Sequence, residues 1–144
     1  MSNPQGVKFI YLPCNNVQAM RHFYSELLRL NEIYFDNSSG GLAYNCDGLQ
    51  FTFFSDPKAQ PISSGWAWQP GWRKGDQPVI SWSVSYTEEE FRTVVDKLKT
   101  EDVISFYEKP HWHFYWSFPV KDPMGNTVEI VWAPEDEPKR NEWH

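Results

Sequence analysis

The side chains best suited to chemistry lie late in the chain. His111 and His113 stand two residues apart in the stretch "HWHFYWSF" (111–118), and Glu129 follows inside a β-branched run. On a strand, residues i and i+2 point to one face, so His-x-His sets two imidazoles side by side. With the Glu129 carboxylate beside them they could hold a divalent cation. His113 could equally act as a general base, because an unperturbed imidazole titrates near ~6.5. His22 and His144 are not placed to complete either set. Cys14 and Cys46 have no histidine at a nucleophile spacing and read as free thiols.

The same stretch is mostly aromatic. Read as a single strand, it puts His111, His113, Tyr115 and Ser117 on one face. Trp112, Phe114, Trp116 and Phe118 then form the other. The second face is ordinary core and the first is the wall of a site. A bulge would exchange the two, which keeps Trp112 among the candidate ligand contacts. Aromatics make up 17% of the chain, with eight Trp. They can fill a core, and they can also stack on flat ligands. The segment "GWAWQPGWRKG" (65–75) carries Trp66, Trp68 and Trp72, which could cover a ligand, a sheet edge or a dimer interface.

Several elements must position these residues. Alternation over 7–12 predicts a strand ended by Pro13. Asn15 and Asn16 are N-cap residues, with Gln18 placed as in a capping box. Val17, Met20, Phe23, Tyr24, Leu27 and Leu28 recur at helical spacing to about residue 30. Short strands are expected over 32–36, 42–46 and 49–55, with turns at Gly40-Gly41 and Asp47-Gly48. The order then repeats. A strand over 79–86 leads to a Thr87/Glu90 capping box and a helix striped by Phe91, Val94, Val95 and Leu98. Strands over 104–108, 113–120 and 127–133 follow. The fold class is α+β, two tandem β-α-β-β-β modules forming a curved mixed sheet around a cleft. Module one covers about 7–55, a connecting loop 56–77, module two about 78–133 and a polar, solvated tail 134–144.

A chain of 144 residues with a net charge of -6 suits one domain. Its acidity argues against a nucleic-acid partner, which needs clustered Lys and Arg. It slightly favours a cationic ligand. No apolar run reaches the ~20 residues that span a bilayer, so no membrane partner is expected. Two cysteines and no leader segment point to a reducing, cytoplasmic setting.

Two segments carry a family resemblance. "AMRHFYSELLRL" (19–30) resembles the first-helix signature of the glyoxalase / bleomycin-resistance / extradiol-dioxygenase superfamily, the vicinal oxygen chelate fold; here Arg29 replaces the usual glycine. "DPMGNTVEI" (122–130) resembles the family's second signature, an Asp-Pro-x-Gly-Asn turn followed by a Glu on the last strand. The resemblance covers roughly residues 7 to 133. It implies four metal-ligand positions, which fall on Phe9, Thr52, about Val79 and Glu129. Glu129 alone among them is a good ligand, and a divalent site needs several. The resemblance therefore implies a metal-free protein that binds a small aromatic or cationic molecule, with no cofactor, and a homodimer. The expected ligand contacts are Phe9, Tyr11, Gln50, Thr52, Phe54, Trp66, Trp68, Ser81, Trp112, His113, Tyr115, Ser117 and Glu129. The alternative is an enzyme of the same superfamily, a metal-dependent or His-based lyase, isomerase or dioxygenase, with a divalent metal ion at His111, His113 and Glu129. A third possibility is an interaction module assembled through the aromatic loop.

Overall fold

The computed structural model describes residues 5–62, 65–68 and 75–144. The chain divides into two compact units, Met1–Pro61 and Ile62–His144.

In the first unit the order is β1 (Phe9–Cys14), α1 (Val17–Arg21, continued as a π-helix over His22–Leu27), β2 (Asn31–Asp36), β3 (Gly41–Cys46) and β4 (Leu49–Ser55). The sheet runs β1-β4-β3-β2, with β1 parallel to β4 and the other pairs antiparallel. Strand β1 continues through Pro13 to Cys14, two register steps beyond the expected last residue, Leu12. At the outer strand of this sheet a missing N–H costs no ladder bond. Asn16 is the helix cap, its Oδ1 accepting from Ala19 N at 3.0 Å. The expected Asn15/Gln18 capping box is thus replaced by a simple Asn cap. Tyr24 is fully buried, with ring centroids 4.8 Å from Phe53, 5.9 Å from Phe51 and 6.0 Å from Tyr44. Alternation then leaves Gln50, Thr52 and Phe54 on the opposite face of β4. The Asp47-Gly48 turn has both φ angles positive (52° and 90°), as a tight two-residue hairpin needs.

The second unit repeats the order as β5 (Trp82–Ser85), α2 (Glu88–Thr100), β6 (His111–Trp112), β7 (Trp116–Lys121) and β8 (Thr127–Trp132). Its sheet runs β5-β8-β7-β6, again with one parallel pair, β5 with β8. The Thr87/Glu90 capping box forms. Phe91, Val94, Val95 and Leu98 are buried, as are Val128 and Ile130 on β8. The fold is therefore α+β, a four-stranded mixed sheet and one helix in each of two tandem β-α-β-β-β modules.

Three expectations are corrected here. Strand β5 starts at Trp82 rather than residue 79, because the backbone of 77–79 is engaged elsewhere. Gln77 bridges Ala67, and Val79 N donates back to the Gln77 carbonyl at 2.8 Å. The segment 104–108 makes only an isolated bridge, Ser105 with Val120, and then bends away. The fourth strand is instead His111–Trp112. The stretch 111–118 is not one strand: it folds back on itself, pairing His111 with Ser117 and Trp112 with Trp116.

The segment after β8 also departs from expectation. Glu135, Asp136 and Glu137 are exposed, as a solvated tail would be. Trp143, however, docks with its ring centroid 5.0 Å from Trp116, 5.3 Å from Phe91 and 6.2 Å from Trp132. Glu142 bridges His111 in the backbone and meets Lys109 at 3.2 Å. Burying aromatic surface outweighs the polar character of the residues around Trp143.

Arg29 closes the first helix with φ 61°, the position at which the resembling signature has glycine. The left-handed conformation costs a non-glycine residue about 1–2 kcal/mol. Arg29→Gly is expected to raise stability by about 1 kcal/mol, after part of the gain is lost to the freer unfolded chain. The urea midpoint of the variant against the parent protein measures this.

Candidate functional site

The Asp122-Pro123-Met124-Gly125-Asn126 turn sets the start of β8. Asp122 Oδ1 accepts from Met124 N (2.8 Å) and Asn126 N (3.0 Å), and Oδ2 accepts from Asn126 Nδ2 at 2.9 Å. Gly125 has φ 78°, and a Cβ there would lie 2.3 Å from the Ile62 carbonyl oxygen, so both its conformation and its space require glycine. Glu129 follows on the central strand β8, between Ser83 of β5 and Pro119 of β7.

Glu129 is 6% exposed. Tyr115 Oη donates to its Oε1 at 3.1 Å, and Ser117 Oγ donates to Oε2 at 2.7 Å. Burial raises the carboxyl above its ordinary range, and the two hydroxyl donors partly offset this. Tyr115 is pushed up to about 12 by burial and by the neighbouring Glu129 charge. Neutral hydroxyls steady a carboxylate without cancelling its charge.

Beside this carboxylate stand three stacked rings. Tyr107 lies 3.7 Å from His111 and 5.9 Å from His113, centroid to centroid, at interplanar angles of 18° and 28°. The His111 Nδ1–H donates to the Lys109 carbonyl at 2.9 Å, which fixes that tautomer. His113 Nε2 is 3.2 Å from Tyr107 Oη. Burial lowers His113, and the nearby His111 lowers it further, so its imidazole stays neutral to lower pH than usual. Burial raises Tyr107, with a smaller contribution from Glu129.

The hairpin explains how these groups meet. His111 and Ser117 are direct cross-strand partners and share a face. The loop 113–115 carries His113 and Tyr115 at its shoulders, closed by His113 N donating to the Tyr115 carbonyl at 2.8 Å. Phe114 at the tip has φ 70° and is 84% exposed. It belongs to neither face, which corrects its expected place in the core. Trp112 stacks edge-on to Trp116 at 5.5 Å, on the side away from Ser117, so it does not join the Glu129 group.

Other expected contacts fall as follows. Ser83, not Val79 or Ser81, is level with Glu129; by the same pairing Tyr11 is level with Thr52, and Ser81 corresponds to Phe9. Ser81 is half-buried just before β5. Ala67 N donates to Thr127 Oγ1 at 2.9 Å, which lays the 65–68 segment on β8. Trp66 sits there, 5.2 Å from Phe106 and under Lys121 Nζ at 4.8 Å, while Trp68 is exposed. Trp72 lies outside the described residues. In the first unit, Phe9, Tyr11, Gln50, Thr52 and Phe54 share one face of the β1–β4 pair, with Gln50 Nε2 donating to Thr52 Oγ1 at 3.1 Å. Phe9 and Tyr11 stack at 6.1 Å and are exposed.

Tyr107 is the site residue that sequence reasoning missed. Within a strand over 104–108 it was one alternating residue among others. The bend after Ser105, whose Oγ donates to the Tyr107 carbonyl at 2.7 Å, aims it at the histidines. Its spacing of four from His111 in a polar stretch was the available signal.

The residues do not fit a metal. Phe9 has no donor atom, Thr52 and the serines are poor ligands, and one carboxylate does not make a divalent site. Among the described residues no three His, Cys, Asp or Glu side chains converge as a bound ion requires, so His111, His113 and Glu129 are not assembled as a metal centre.

No family model and no curated protein matches the sequence. Solved structures do match the fold. A glyoxalase/dioxygenase from Nostoc punctiforme superposes with TM-score 0.70 at 17% identity, covering 91% of this chain and 92% of that one. A genomically encoded fosfomycin resistance protein, FosX, from Listeria monocytogenes gives 0.65 at 15%, covering 94% and 97%. A glyoxylase/bleomycin resistance protein/dioxygenase domain from Frankia sp. EAN1pec gives 0.64 at 14%, covering 94% and 96%. The chain has the vicinal oxygen chelate fold of glyoxalase, bleomycin-resistance and dioxygenase proteins. At these identities the likeness is one of fold.

Because the folded state holds the Glu129 carboxyl above its unfolded range, the stability it contributes is present at acid pH and lost as pH rises through that raised range. Glu129→Gln cannot titrate. The parent protein should lose stability relative to Glu129→Gln as pH rises from the ordinary carboxylate range through the raised range of Glu129, measured as the difference of their urea midpoints.

Proposed function

We propose that this protein is a metal-free binder of a small aromatic or cationic molecule, taken up against Glu129 and the Tyr107–His111–His113 stack. One observation carries the reading: a buried carboxylate steadied by two neutral hydroxyls beside parallel rings. The carboxylate suits an ammonium or iminium group, and the ring stack suits a flat body. Proteins of the same fold named for fosfomycin resistance and bleomycin resistance are consistent with binding of small drugs. The same reading takes the chain as a cytoplasmic homodimer, which its family resemblance suggests. No described helix is long and apolar enough to cross a membrane.

A second reading has a specific observation in its favour. The raised Glu129 carboxyl and the hydrogen-bonded Tyr107–His113 pair are what proton transfer in a lyase or isomerase would use. A binder leaves its ligand unchanged, whereas a catalyst would alter it during prolonged incubation.

The test uses 2-naphthylmethylammonium as a flat cation, followed by tryptophan emission. Saturable quenching is expected, and Glu129→Gln should weaken it by about tenfold or more, since a charge-assisted hydrogen bond contributes about 1.5–3 kcal/mol. Binding should also fall as pH drops through the raised range of Glu129. Equal affinity in Glu129→Gln would exclude the reading.

A further inference from the structure

The helix-side face of the second sheet carries a separate hollow of about 330 Å³, bordered by Trp116, Trp132, Trp143, Arg92, Lys139 and Arg140. Its volume is at the lower end of the range for small-molecule pockets, ~300–1,000 Å³. Trp116 and Trp132 are cross-strand partners on β7 and β8. Alternation places them opposite Ser117 and Val131, hence on the face away from Glu129. Trp143 completes the aromatic wall against Trp116 and Trp132.

Charge decides what such a cage would take. Aromatic walls alone suit an organic cation. Here that position is filled from within, with the Arg92 guanidinium 4.3 Å from the Trp143 ring centroid. Arg92 is held there by a main-chain oxygen of His144 at 2.8 Å and by Glu88 at 3.4 Å. Lys139 and Arg140 border the same hollow and are exposed. Among the described residues that line it, Glu142 is the one acidic side chain, and Lys109 engages it. In a chain of net charge -6 this is a local concentration of positive charge.

We propose that this hollow is a second ligand site, for a small planar anion such as an aromatic carboxylate. The ring would lie against Trp132 and Trp143 and the anionic group would meet Lys139 and Arg140. Arg92, already spanning Glu88 and a main-chain oxygen of His144, orients the Trp143 wall. The site stands apart from the Glu129 reading and would exist if that reading failed.

The two charge preferences are opposite, so one probe series separates them. Titrations use 2-naphthoate, its cationic counterpart 2-naphthylmethylammonium and the neutral 2-naphthylmethanol, in the full chain carrying Glu129→Gln. Saturable tryptophan quenching by naphthoate is expected, at least tenfold tighter than by the ammonium or the alcohol. Reversing the two exposed cations, with Lys139→Glu and Arg140→Glu together, should weaken naphthoate by tenfold or more while leaving the urea midpoint unchanged. Trp143→Ala should abolish it. Naphthoate that fails to saturate, three probes of equal affinity, or binding indifferent to the charge reversal would each overturn the proposal.

Discussion

A carboxylate taken out of water must be given hydrogen bonds or it will protonate or unfold its surroundings. In the second unit that requirement falls on Glu129, and much of the local architecture answers it. The β7–β8 register brings Ser117 and Tyr115 within reach of separate oxygens. Tyr115 can reach only because the chain folds back after Trp112, and that same turn sets His113 beside Tyr107. The Asp122–Asn126 turn anchors the strand from its other end. Removing any of these supports leaves a charge in a setting that cannot solvate it.

The two modules use one plan with different contents. In the first, the face of β1 and β4 turned from the helix bears Phe9, Tyr11 and Phe54 with a single polar pair, Gln50 and Thr52. In the second, the equivalent face bears Glu129, two hydroxyls and the histidines. Thr52 and Glu129 occupy matching places, each level with a residue of the parallel strand, Tyr11 and Ser83. The two modules are thus similar scaffolds. Only one of them carries an ionisable group at that place.

The fold was largely legible in the sequence because its signals are local. The Thr87/Glu90 box, the Asp47-Gly48 turn and the stripe of Phe91, Val94, Val95 and Leu98 each depend on neighbours a few residues away. Alternation places Ser117 on the face of Glu129, whereas Tyr115, in the loop 113–115, reaches that carboxylate through the fold-back and not along one strand. What escaped was set by distant partners. The late start of β5 follows from Gln77 bridging Ala67, and the bend that delivers Tyr107 follows from Ser105 meeting Val120. The hairpin inside 111–118 has no glycine, asparagine or proline at its tip. A phenylalanine holds the left-handed position, so no turn residue announced it.

The docking of Trp143 has a consequence for how this protein would age. Strand β6 is two residues long and forms the outer edge of its sheet, where Glu142 bridges His111. A protease cutting between residues 134 and 141 would release that cover and the indole together. It would bare the backbone groups of the rim and the rings of Phe91, Trp116 and Trp132 in one event. An uncovered strand rim beside a greasy patch is a template for self-association, so the clipped chain would tend to precipitate rather than persist as a slightly shorter protein.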